Sequence, residues 1–326
     1  MLGLLGSCGR PMLTVRTQSL RVVSWSGPSF TRSLATSLLL AAVGLIPADL
    51  DAHQGAHRLI AELTRRLETF HGAASSKALL HVRRAELHRA SEHFCEAHAD
   101  LDHARARDPE QSLVVLCRGK LFLDEGVPIQ ARTAMDRYLA GEPRSVSGWL
   151  VRAQARKALG DVLDAASDYE RAVDLVGPPK RPPPQFYLDW AASLAAAGES
   201  YRDAAVRVID RGVSRLGHLP VLALRAIELE VAGGDYTAAL RRIDLQLERA
   251  RRKERWLCRR AEVLIKAGRR DEAGTALRAA CSEIDELPPA RRRTRAVSRL
   301  EERIRSIRDE AEAGMVSGEK TGGTDR

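Results

Sequence analysis

The stretch WLVRAQARKALGDVLDAASDY, residues 149–169, places one small residue, Ala153, twelve positions before another, Ala165. Gly160 stands between them, and a large side chain, Tyr169, follows four positions after the second. The stretch predicts two helices joined by a glycine turn. Small residues let the pair approach closely, and the large residue one turn later fills the space beside them.

Working outward, the pattern recurs. Ala97, Ala131 and Ala165 follow one another at a constant interval, and Ala205, Ala239 and Ala273 repeat that same interval. Four positions after each stand Leu101, Met135, Tyr169, Ile209, Ile243 and Leu277. Twelve positions before them are Ala85, Gly119, Ala153 and, in the last unit, Ala261. Ser193 and Ile227 hold that place in the fourth and fifth units, where looser helix packing is expected. Gly126, Gly160, Gly234 and Gly268 share one position, that of the turn, where glycine supplies backbone freedom. Pro109 and Pro143 close successive units. A helix pair of this length cannot bury its apolar face alone, so the units must stack.

This small-small-large pattern at a 34-residue period resembles the tetratricopeptide repeat (TPR) family over about residues 78–285. The resemblance implies an all-α, right-handed solenoid of about six helix-turn-helix repeats with helical caps. It also implies that the first helix of each repeat lines a concave, peptide-binding face. On that basis the candidate groove holds Val82, Glu86 and Arg89, then Leu116 and Lys120, then Leu150, Gln154 and Lys157, and finally Glu228, Glu262 and Lys266. The chain has no Asn, so the Asn clamp with which chaperone-binding members hold a C-terminal carboxylate is unsupported.

The two alanine registers are offset, because the step from Ala165 to Ala205 exceeds one period by six positions. The proline-rich run GPPKRPPP, residues 177–184, falls in that interval and predicts a stiff surface insertion between repeats three and four. The expected organisation is a leader at 1–52, an N-terminal capping helix within 53–77 and repeats one to three at 78–176. The insertion follows at 177–184, then repeats four to six at 185–288, a capping helix at 289–313 and a disordered tail at 314–326. The first cap carries Leu59, Ile60, Leu63 and Leu67; the second carries Val297, Leu300, Ile304 and Ile307 at helical spacing.

Leu34 to Ile46 is an apolar run preceded by Arg32 and followed by Pro47, of a length suited to a signal-peptide core. Export to the periplasm or beyond is expected, the alternatives being an uncleaved membrane anchor or a mitochondrial leader. The formal charge of +9 includes four Arg within residues 1–48, and subtracting them leaves +5, spread over the repeats. A solvated face accounts for Arg291, Arg292, Arg293 and Arg295 better than a nucleic-acid surface does, so no nucleic-acid partner is expected. Five Cys in a chain of 326 residues do not form a disulfide framework pattern.

Catalytic signatures such as GxxxxGK[ST], HExxH and GxSxG are absent, so the chain is read as no enzyme and without a cofactor. The expected function is protein or peptide binding by a scaffold. The histidines supply an alternative, since eight of the nine fall within residues 53–103. There Cys95, His98 and Asp102 are spaced as a possible ligand row for Zn or Cu.

Overall fold

The structure, a computed structural model, describes residues 48–319, with side chains described for 55–310. The leader before residue 48 and the last residues of the tail lie outside the described residues. All described regular structure is helical. Helix α1 spans Ala48–Glu68, and six helix pairs follow. They are α2 (Ala74–Ala90) with α3 (Phe94–Arg107), α4 (Ser112–Asp124) with α5 (Pro128–Gly141), and α6 (Val146–Leu159) with α7 (Val162–Leu175). Next come α8 (Pro184–Ala196) with α9 (Arg202–Leu216), α10 (Pro220–Ala232) with α11 (Tyr236–Arg249), and α12 (Glu254–Lys266) with α13 (Arg270–Asp285). A short α14 (Pro289–Arg292) leads into α15 (Arg295–Glu319). Each helix from α2 to α13 packs on the next, and α15 closes the stack against α12 and α13.

The packing register is the periodic one. All six alanines from Ala97 to Ala273 are buried, as are the large residues one turn after them. The pairs approach so closely that a Cβ added to Gly119 in α4 would stand 2.4 Å from Met135 Cε in α5.

The turn position is equally regular. Gly126, Gly160, Gly234 and Gly268 all have positive φ, between 73° and 88°. The next amide donates to the carbonyl five residues back, as in Val127 N to Phe122 O at 2.8 Å and Asp161 N to Arg156 O at 2.9 Å. In the first repeat the same position holds Glu92, the single described non-glycine residue with positive φ, at 60°.

Repeat four departs from the expected register. Its turn glycine is Gly198, φ 118°, followed by a 3₁₀ turn over Glu199–Tyr201. Measured from that glycine, the small position of α8 is Ala191, fully buried, and not Ser193. The six extra residues are therefore divided: four precede α8, and two lengthen the turn between α8 and α9. Pro184, assigned above to the insertion, is the first residue of α8, where its missing N–H costs nothing. Two expectations for the caps also change. Leu59 is 51% exposed, and α1 instead turns Leu67, with the partly buried Ile60 and Leu63, inward. Helix α15 continues to Glu319, into the segment 314–326 that was expected to be disordered, because alanine and glutamate around Gly314 sustain helical geometry.

Replacing Glu92 with Gly should raise stability by about 1 kcal/mol, since an L-residue in the left-handed region is strained. Gly160→Ala should lower it by about the same amount. Chemical denaturation of the two variants checks both signs; a destabilised Glu92→Gly would contradict the strain argument.

Candidate functional site

Three of the five pairs of consecutive first helices contact one another, α2 with α4, α4 with α6 and α8 with α10. Contacts between consecutive second helices are sparser. The stack therefore bends towards its first helices, and their outward-facing side chains line the inner surface.

The candidate groove residues divide into closed and open groups. In α2 and α4, Lys120 Nζ donates to Glu86 Oε1 at 2.9 Å, and Cys117 Sγ donates to the same oxygen at 2.9 Å. Arg89 donates to Glu86 Oε2 at 3.1 Å and is also paired with Asp124. Burial pushes the Glu86 carboxyl up, but the hydrogen bonds from Cys117 and Lys120 outweigh it and hold the group below its ordinary range. Burial, then the neighbouring Glu86, pushes the Cys117 thiol up to about 12, so it stays protonated and donates. Glu86, Arg89 and Lys120 thus satisfy one another. At the other end, Glu262 accepts from Arg259 at 2.7 Å and from Arg303 of the capping helix at 2.8 Å. Lys266, beyond it, is exposed.

Between these ends the surface is open. Gln154 and Lys157 are exposed on α6, with Leu150 partly buried beside them. In α8 the corrected register brings Leu188, Ala192 and Ala195 to the same face. In α10 it brings Val221, Leu224 and Glu228, and the two apolar side chains are 45% and 39% exposed. This middle section mixes exposed apolar side chains with Gln154, Lys157 and Glu228 and has small residues at its centre.

The opposite side carries an ion-pair ladder that the motifs did not bring out. One position of the second helix is acidic in five successive units: Asp102, Asp136, Glu170, Asp210 and Asp244. Each meets an arginine of the next unit. The pairs are Asp102–Arg118 at 2.6 Å, Asp136–Arg152 at 2.9 Å, Glu170–Arg211 at 3.6 Å, Asp210–Arg242 at 2.7 Å and Asp244–Arg260 at 3.0 Å. Arg118, Arg152 and Arg260 share one first-helix position, which Arg84 holds in repeat one. Trp190 and Ala226 replace them in repeats four and five, and there Arg211 and Arg242 of the second helix take over. The carboxylates are about half exposed, so each pair contributes only about 0.2–1 kcal/mol. Their recurrence in step with the alanine registers, offset included, was legible in the sequence.

Two pairs of a second kind are buried within a unit. Arg84 grips Asp100 through two bonds, at 2.8 and 2.6 Å, and Arg152 grips Asp168 at 3.0 and 2.8 Å. Around Asp100 the histidines gather. His81 Nδ1 is 2.9 Å from Asp100 Oδ1, His88 Nε2 is 4.0 Å from Oδ2, and Arg84 also donates to Thr64 of α1 at 2.8 Å. His81 Nε2 and His88 Nδ1 are buried without a hydrogen-bond partner.

The proposed metal row is not assembled. His98 Nε2 is hydrogen-bonded to Glu125 at 2.9 Å, Asp102 belongs to the ladder with Arg118, and Cys95 is an exposed free thiol. Among the described residues no group of three or more His, Cys, Asp or Glu is arranged to hold a metal ion. The i, i+3, i+7 spacing does share a helix face, but neighbouring helices claim two of its three members.

Burial pulls both His81 and His88 below their ordinary pKa, Asp100 offsetting this only in part. A histidine depressed in the folded state takes up its proton first in the unfolded chain. Stability should therefore fall as pH drops below about 6.5. Asp100, held low by Arg84 and His81 against the effect of burial, adds a loss only in the carboxylate range. Melts at pH 7.5 and 5.5 should show this acid sensitivity, and His88→Leu should make it shallower; an unchanged slope would remove His88 from the account.

No protein-family model matches the chain, and no curated protein matches it in sequence. Among solved structures it is similar to Pseudomonas aeruginosa pilF, at 15% identity over 61% of this chain and 88% of that one, with a TM-score of 0.47. It is similar to a tetratricopeptide repeat protein from Parabacteroides merdae at 13% identity, over 79% and 99% of the two chains, with a TM-score of 0.44. It is also similar to PilW, described as a type IV pilus biogenesis factor, at 14% identity over 64% and 94%, with a TM-score of 0.47. What defines the architecture is internal to the chain: a 34-residue period, alanines buried at each helix crossing and a turn residue of positive φ in every unit. In fold, the chain is a tetratricopeptide-repeat solenoid.

Proposed function

We propose that the chain is a non-catalytic scaffold that holds an extended segment of a partner protein along the first-helix face of repeats three to five. The observation that carries this reading is the contrast along that face. Glu86, Arg89 and Lys120 of repeats one and two close on one another and Glu262 of repeat six is engaged by Arg303, whereas Val221 and Leu224 stand open on α10 beside Ala192 and Ala195. Exposed apolar side chains on this first-helix face favour a segment that lays apolar side chains across them. An acidic ligand held by Arg89 and Lys120 has less support, because both cations are engaged by Glu86 and Asp124.

The apolar run Leu34–Ile46 supports export, with residues 1–52 as the leader of this scaffold. Among the described residues no helix is long and apolar enough to cross a membrane.

Peptides selected on the purified protein from a random display library test the groove. Val221→Glu with Leu224→Glu should weaken their binding at least about tenfold, equivalent to roughly 1.4 kcal/mol, while leaving the thermal melt in place. Undiminished binding by the folded double variant would move the interaction off this face.

A further inference from the structure

At one seam the first-helix arginine of the ladder is replaced by an aromatic ring, and a crevice opens there. At the seam between repeats three and four, Trp190 of α8 occupies the place of the ladder arginine, and Val208 of α9 the place that Asp100 and Asp168 hold in repeats one and three. Both members of the buried polar pair are thus apolar here. Helices α7 and α9 each pack on α8 but touch each other little, so α8 forms the floor of a trough between them. The resulting crevice, of about 400 Å³, is floored by Trp190 and Leu194 and walled by Leu163, Ala166, Ala204 and Val208. Leu163 is 42% exposed at its edge.

One cation at this edge stays open while the other is engaged. Arg211 lies 5.4 Å over the Trp190 ring and is shared between Glu170 and Asp174. Arg207 is exposed and has no ion-pair partner among the described residues. Glu170, the one acid lining the crevice, is already engaged by Arg211.

We infer that this outer crevice, on the side of the stack away from the groove, is a second docking site. Its occupant is an acidic amphipathic helix of a partner protein. Three features fit that partner. The trough between two helices accepts the ridge of a third. Its apolar floor has room for one or two leucine-sized side chains. The unpaired Arg207 complements a carboxylate flanking those side chains and speeds their capture at low salt.

A dye-labelled peptide of about 18 residues, with Leu along one helical face and Glu elsewhere, serves as the probe, and its Lys counterpart as the control. Fluorescence anisotropy with the full chain should give saturable binding of the Glu peptide, at least tenfold tighter than that of the Lys peptide and weakened by salt. Leu163→Glu and Arg207→Glu, both at exposed positions, should each reduce binding at least fivefold, while the Val221→Glu, Leu224→Glu double variant leaves it unchanged. Loss of binding in the groove variant alone would place the peptide on the inner face and overturn the inference. So would equal binding of the Lys peptide, or no binding of the Glu peptide to the wild-type chain at millimolar concentration.

Discussion

Everything in this fold rests on how closely two helices can approach at one point per repeat. Ala97, Ala131, Ala165, Ala205, Ala239 and Ala273 are buried at that crossing. In repeat two the partner position has no Cβ at all, and Met135 fills the space. A methyl-sized contact permits an interaxial distance near the lower end of the ~8–10 Å range. It also makes the crossing intolerant of any larger residue, because a packed interior has no slack to absorb one. Close crossings recurring once per unit produce stacked pairs, and stacked pairs produce one face of first helices and one of second helices.

The two faces are then used differently. On the second-helix side, an acid at a fixed position of each unit meets an arginine of the next, and the donor changes helix where the first-helix arginine is missing. Such exposed pairs add little to stability singly; their regularity ties each unit to its neighbour. Where Trp190 interrupts the first-helix arginine series, with Val208 in the place of the buried aspartate, an apolar floor opens beside the Glu170–Arg211 pair. On the first-helix side, Glu86 is paired with Lys120 at one end of the array and Glu262 with Arg303 at the other, and the middle stays open.

Much of this could be read from residue spacing. The alanine and glycine registers carried the helix pairs, the turns and their left-handed conformation, because each has a single steric cause acting within one repeat. What could not be read was anything requiring a neighbour's position. The six-residue offset looked like one insertion at the prolines, yet two of its residues lengthen the turn at Gly198, which moves the small position from Ser193 to Ala191. Lys120 and Arg89 fall on the expected groove face, but spacing alone does not show that Glu86 and Asp124 hold them. Cys95, His98 and Asp102 share a face of α3, but Glu125 and Arg118 from the next unit decide where two of those side chains go. The burial of His81 and the half-burial of His88 beside Asp100 could not be read, because helical spacing does not report depth.

The claim that close crossings organise the array is tested most directly by hydrogen–deuterium exchange on Ala165→Leu beside the wild type. The enlarged side chain should cost about 1–3 kcal/mol. Since each unit contacts only its neighbours, lost protection should centre on α6 and α7, diminish through α4–α5 and α8–α9, and be smallest at α2 and α13. Unchanged protection at α6 and α7, or a loss spread evenly over all six units, would contradict the account.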